Sequence, residues 1–339
     1  MLNRRGRVLY DLFVYNISKS LADGHFGGEP CLLLECDACV RPDLIRLISA
    51  YRLRRKVQLI PLSGVEPQSP TTTTTTTSPH WQSGDVWSVA AVFPRLKDWP
   101  SSESAAPDSL SLSLTSSLSS SSTTASQALC HSDPRLPSLG LRLVLSPSLG
   151  GQPPAALVSA IGDIDSEPES SEEAYQLTRY ILGVPEGLSD LPPGGCLPLE
   201  SNGDYLNGIS FHKGCYVGQE LTARSHHTGV VRKRLAPIRL PRPLTEEQTD
   251  LSSSADECRL LNEKGENVGK LRSLSGRFGL ALVRIGEVRE AQKIFLEIPP
   301  SPEGNSTSDL IETEVRFPDW WSPIKEELQG FSKVASHRT

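Results

Sequence analysis

The sequence predicts an α+β chain that ends in a small β-barrel. Three observations carry this: a strand–strand–helix–strand pattern within residues 1–62, a helical segment over 172–182, and five or six short strands in about 90 residues from Val230 onward. Arg7–Tyr15 is rich in β-branched and aromatic residues, and Cys31–Glu35 is a short apolar run after Gly-Gly-Glu-Pro, so both are expected to be strands. Pro42 opens a helix with Leu44, Ile48 and Tyr51 along one face. Val57–Ile60 is expected to return as a strand that Pro61 ends. The pattern begins at Met1, with no leader expected ahead of the first strand.

A different composition follows. Residues 71–77 are seven threonines, and Ser and Thr make up 16 of the 26 residues over 101–126. Such tracts bury too little apolar surface to offset the entropy of ordering them, so inserts are expected near 63–80 and 100–137. Between and after them, Val86–Phe93 and Leu139–Leu145 are expected strands, which makes the tracts insertions into a sheet. The 172–182 helix has Ser171 as its N-cap, Gly183 at C′ and Leu177, Tyr180 and Ile181 as its apolar face. The later strands are expected at 230–240, 257–262, 265–274, 278–285, 294–298 and 312–317, with Asn262-Glu263-Lys264-Gly265 as a hairpin turn. The expected division is an α+β domain over 1–229, a barrel over 230–321 and a tail over 322–339.

Composition narrows the class. The chain has 339 residues, 34 Lys+Arg against 40 Asp+Glu, and a net charge of -6, which argues against a nucleic-acid or anionic-membrane binder. No stretch approaches the roughly 18 apolar residues of a membrane-crossing helix. Seven cysteines (31, 36, 39, 130, 196, 215 and 258) are too sparse and odd a set for a disulfide framework, which fits a reducing, intracellular setting.

The chemistry concentrates over residues 210–242, where seven Lys/Arg face one acid, Glu220; the net +6 there leaves -12 on the remainder. A local basic field in an acidic chain suits a small anionic ligand such as a polyglutamate or a phosphate. Cys215 sits inside it. Lys213 shares its face in an extended segment, and a helix expected over Tyr216–Arg224 would put the thiol near a helix N-terminus, so both would favour thiolate. Gly214 and Gly218 permit close approach, and Gln219 and Glu220 offer a donor and an acceptor. Against this stands the ordinary fate of a free cysteine, inert burial, at roughly even odds. Lys213, Arg224, Arg232 and Arg234 are expected to line an electropositive groove. His226 and His227 lack metal-ligand spacing; one is expected solvated and the other bonded to a loop. Cys36-Asp37-Ala38-Cys39 is spaced like a redox pair but precedes the Pro42 helix by too much, so a structural or incidental role is expected. No nucleotide-binding, P-loop or serine-hydrolase motif occurs.

Lys213-Gly214-Cys215-Tyr216-Val217-Gly218-Gln219-Glu220 resembles the signature of the YgfZ-type proteins, relatives of the glycine-cleavage aminomethyltransferase. The resemblance is to their mitochondrial, iron–sulfur branch. Residues 2–11, 34–37, 51–57, 183–187, 197–202, His226-His227-x-Gly229 and Pro318-Asp319-Trp320-Trp321 agree with it, so it spans nearly the whole chain outside the inserts. The resemblance implies aminomethyltransferase-like folate-binding layers around a central pocket, capped by the barrel. It implies maturation of four-iron cluster proteins in the mitochondrial matrix, with A-type iron–sulfur carrier proteins as partners. It implies transferase ancestry and tetrahydrofolate or a related folate as cofactor, contacted by Gly214, Tyr216, Gly218, Gln219, Glu220, Arg224 and Asp11. Cys215 and Lys213 would be the reactive pair, with Cys215 a transient cluster ligand and no resident metal site. Members carry a further strand–helix unit and a presequence ahead of the segment that opens this chain, so an incomplete N-terminus is expected. The aminomethyltransferases have two adjacent acids where this chain has Tyr10-Asp11. That missing carboxylate argues against the alternative, a folate-dependent one-carbon transferase.

Overall fold

The computed structural model describes residues 1–16, 31–61, 88–93, 99, 128–146, 171–245, 248, 258–300 and 308–321. The threonine run, the serine-rich stretch over 101–126 and the expected tail lie outside the described residues. By internal contacts the chain divides into two units, one of Met1–Leu9, Arg95–Glu103 and Ser170–Thr339, the other of Tyr10–Pro94 and Ser104–Glu169. Residues 171–229, grouped with the α+β part in the sequence reading, thus fall with the barrel strands.

The second unit holds a two-stranded and a three-stranded antiparallel sheet. β1 (Phe13–Asn16) pairs with β2 (Leu32–Glu35), and β3 (Ser88–Val92) and β4 (Ala128–Ser132) flank β5 (Leu141–Leu145). The first strand is shorter than expected, since pairing with β2 starts only at Phe13. β4 lies inside the stretch assigned to an insert near 100–137; its Ala128 and Leu129 are buried. A serine-rich neighbourhood hides a strand this short from a composition argument. Val57–Ile60 is no strand: among the described residues it pairs with nothing and is largely exposed. An apolar run becomes a strand only when a neighbouring edge satisfies its backbone.

Tyr15 packs with Leu129 and Val144 between the two sheets. A polar network crosses the same contact. Buried Arg142 pairs with Glu35 and, at 3.6 Å, with Asp133, and its guanidinium lies 3.9 Å from the Phe13 ring centre. Tyr15 donates its hydroxyl to Glu35, and burial first, then the Glu35 charge, push the phenol well above its ordinary pKa. Helix α1 (Arg41–Tyr51) follows as the sequence predicts, although Leu44 alone of its expected face is buried and Tyr51 is exposed.

In the first unit, helix α2 (Ser171–Leu182) sets Tyr180 and Ile181 against Phe278 and Leu280. Gly183 then takes φ +80° beyond its end, as the C′ position requires. A short helix α3 (Gly187–Asp190) presents buried Asp190, which accepts from Arg179 at 2.7 Å and from the Tyr180 hydroxyl at 3.0 Å.

The barrel sheet has seven strands: β6 (Lys233–Arg239), β7 (Arg259–Asn262), β8 (Asn267–Ser275), β9 (Phe278–Arg284), β10 (Ile294–Ile298), β11 (Asp309–Glu312) and β12 (Glu314–Val315), ordered β11-β10-β7-β8-β9-β6-β12. The expected final strand over 312–317 is instead two pieces that meet at Thr313. β11 pairs with β10 and β12 with β6, so one bent segment joins the two edges and nearly closes the barrel. That removes most free edge from the sheet. At the bend, buried Thr313 donates its N–H to Ile294 O at 2.8 Å and its hydroxyl to Ile311 O at 2.8 Å. The Asn262–Gly265 turn forms as expected: Gly265 has φ +77°, and Asn262 Oδ1 accepts from Lys264 and Glu266. The core includes Ile238, Leu260, Leu271, Val283, Leu296 and Trp321. No helix among the described residues is long and apolar enough to cross a membrane.

Candidate functional site

The Lys213–Glu220 segment is held by backbone. Gln219 donates its N–H to Tyr216 O at 3.2 Å, while the Gln219 side-chain Oε1 accepts from Tyr216 N at 3.2 Å. Gly218, with φ 80° and ψ 9°, fills the third position of this turn, as in a type II β-turn. It is buried because the Asn3–Arg7 loop lies on it: an added Cβ would fall on Asn3 O and come within 2.9 Å of Gly6 Cα. That loop is rigid in turn, since Asn3 Oδ1 accepts from both Arg5 and Arg7. The Gln219 amide also covers Gly214, where a Cβ would meet it at 3.0 Å. Gly214, Gly218 and Gln219, three of the expected ligand contacts, also shape the turn.

Cys215 is exposed on this framework, as are Lys213, Glu220 and Arg224. Val217 beside it is 40% exposed, an uncovered apolar side chain at the turn. Tyr216 is half-buried, and burial pushes its phenol pKa up. Helix α4 (Gln219–Thr228) starts three residues later than expected, with Gly218 at its N-cap. The thiol thus precedes the first turn by several residues, and the helix-terminus argument for thiolate falls away.

His226 and His227 occupy the last turn of α4 and are both exposed. Contrary to the expectation of one solvated and one loop-bonded ring, His226 stacks on Phe211 at 3.6 Å, with His227 edge-on to both. The four-cation groove also does not assemble. Arg234 is 3% exposed and forms a two-pronged pair with Asp204 at 2.7 and 2.8 Å, with a further bond to Leu199 O. Alternation assigned Arg232 and Arg234 to one face, but Arg234 through Ile238 are all buried, so the face says nothing of access.

Arg232 and Lys233 instead line a cleft of about 210 Å³ beside α4, walled by Leu197, Leu199, Leu221 and Val231. Two further members, Glu200 and Thr222, escaped the sequence reading. Neither has a motif signal; only the Leu197–Asn202 agreement with the family touched Glu200. Burial raises the Glu200 pKa, against the opposing charges of Lys233, Arg7 and Arg272. A raised carboxyl pKa means that the folded state holds the proton more tightly than the unfolded chain. Its stabilising contribution is present below the ordinary carboxylate range and is lost as pH rises through the folded value. Glu200→Gln is therefore expected to gain stability over the parent at pH 7 and to lose that advantage near pH 4, read from urea midpoints. An equal difference at both pH values would contradict this.

Asp11 lies in the other unit, in the extended segment before β1, where its charge acts on Cys36. Burial, then Asp37, raise the Cys36 thiol pKa, and Cys39 is exposed in a 3-10 turn capped by Asp37. A reactive redox thiol needs the opposite shift. Among the described residues no group of three or more His, Cys, Asp or Glu could hold a metal ion.

Comparison with known proteins agrees with the barrel. The family profile described as CAF17, C-terminal beta-barrel domain, matches residues 232–323. The protein named "Iron-sulfur cluster assembly factor IBA57, mitochondrial" of Mus musculus is 34% identical over 320 residues, covering 94% of this chain and 71% of the relative. Its Homo sapiens counterpart is 33% identical over 328 residues, 96% of this chain and 72% of the relative. A homologue of the same name from Mycosarcoma maydis is 31% identical over 355 residues, with 94% and 72% covered.

Proposed function

The chain belongs to the IBA57 family of mitochondrial iron–sulfur cluster assembly factors, and from that premise we propose that it supports maturation of four-iron cluster proteins in the mitochondrial matrix, using Cys215 as a transient cluster ligand. One observation carries the residue assignment: Cys215 is exposed beside a turn held by the Gln219–Tyr216 hydrogen bonds and by the Asn3–Arg7 loop packed on Gly218. A ligand that hands a cluster on must be reachable and pre-positioned, yet free of a completed metal site of its own. The transfer is ligand exchange. The Cys215 sulfur loses its proton to solvent and bonds iron as a thiolate of the donor leaves that iron, with no change in electron count. The exposed cations Lys213 and Arg224 favour approach of the anionic thiolate-bound cluster.

The partners proposed with this reading are A-type iron–sulfur carrier proteins, which present such thiolates. Aminomethyltransferase-like layering and a bound tetrahydrofolate belong to the same proposal as inheritance from the wider family. Titration of the purified protein with tetrahydrofolate tests that part: saturable binding is expected, and none up to millimolar folate would remove it. The main test is rescue of a four-iron client in cells lacking the protein, with Cys215→Ser as the informative variant.

A further inference from the structure

The cleft beside α4 has features that the iron–sulfur reading does not use. Thr222, 2% exposed, lines it, and its hydroxyl has no hydrogen-bond partner among the described residues. A helical threonine usually satisfies itself on the carbonyl four residues earlier, here Gly218, but Thr222 does not. Leaving a buried hydroxyl unmatched is destabilising, and a ligand able to bond it would recover that loss. The walls Leu197, Pro198, Leu199, Leu221, Val230 and Val231 are apolar. Val230 is 54% exposed at the rim, an apolar surface without cover. Arg232 also lines the cleft, is exposed and makes no ion pair with a described residue. Lys233 adds a second cation, whose charge also acts on Glu200.

The geometry points to a binding site for a small monocarboxylate with an apolar body, held by the aliphatic walls, by the charges of Arg232 and Lys233, and by a hydrogen bond from Thr222. Its size sets the class. At about 210 Å³ the cleft is smaller than the roughly 300–1,000 Å³ that takes drug-sized ligands, so a whole folate is too large. Charge sets the head group, because two cations face one carboxyl. The site lies against the helix that begins at the Cys215 turn, yet it does not depend on that thiol. Failure of cluster transfer and failure of this site are therefore separate results.

The test uses the full chain with labelled Leu and Val methyl groups, titrated with hexanoate and, as its neutral counterpart, 1-hexanol. Hexanoate is expected to shift the methyls of Leu199, Leu221 and Val231 saturably, and to bind more tightly than 1-hexanol. Arg232→Gln should weaken hexanoate about tenfold, the scale of one hydrogen bond to a charged group, and leave 1-hexanol unchanged. Thr222→Val keeps the shape and is expected to weaken hexanoate while raising the unfolding midpoint of the free protein. Three outcomes would overturn the assignment: no saturable shift, equal affinity for acid and alcohol, or Arg232→Gln binding hexanoate as the parent does.

Discussion

Cys215→Ser is expected to fold like the parent and to leave a four-iron client largely immature. Cys215 is exposed, so the exchange removes no core contact. Surface changes of this kind usually stay within about 0.5 kcal/mol of the parent. What serine cannot supply is a soft thiolate for iron. Outer-shell changes at metal sites cost about 10–100-fold in affinity or activity, and loss of a direct ligand should cost at least as much. The measurement is activity of a four-iron enzyme in cells lacking the protein, with each variant expressed at matched levels. The buried cysteines are the control. Cys196 is 4% exposed and Cys258 0%, so serine there is expected to lower the unfolding midpoint while client activity follows protein level alone. Full rescue by Cys215→Ser would mean that the turn matters for its shape and the sulfur does not.

Arg234→Ala is expected to have the largest effect on stability. It strands Asp204, 12% exposed, without the guanidinium that satisfies both carboxylate oxygens. It also releases Leu199 O and uncovers the Tyr205 ring, 4.3 Å from the guanidinium. Breaking one side of a buried pair costs about 3–5 kcal/mol. Arg232→Ala, two residues away, is expected to stay within about 0.5 kcal/mol because its side chain is exposed and outside any ion pair with a described residue. Pairing Arg234→Met with Asp204→Leu should recover much of the loss by removing both charges together. Urea unfolding of the four proteins decides this, and similar midpoints for Arg232→Ala and Arg234→Ala would contradict it.

These two arginines mark where sequence reasoning stops. Alternation places them on one face, which is a property of local backbone geometry and readable from spacing. Whether a face is open depends on what packs on it. Arg234 meets Asp204, thirty residues earlier, through the loop that also carries Leu199. Cys215 shows the same limit. Its family signature was plain from eight consecutive residues, but the glycines and Gln219 inside that signature shape the turn because the Asn3–Arg7 loop, over two hundred residues away, lies against it.

By itself the sequence determined the class and the family. Apolar runs between turn residues located all but the most fragmented barrel strands, the α2 helix and its Gly183 terminus, and the octapeptide identified the segment that matters. These are short-range properties, fixed by alternation, capping and positive-φ requirements within a few residues. The tertiary structure alone decided the rest. It divided the last strand at Thr313 so that both sheet edges meet on one segment, left Val57–Ile60 outside the sheets of the described residues, and turned Arg234 inward. It also brought Leu197–Glu200, Thr222 and Arg232 around one cleft. Each of these depends on which distant groups desolvate one another and satisfy one another's hydrogen bonds, and pairing between distant segments is not encoded in any local period.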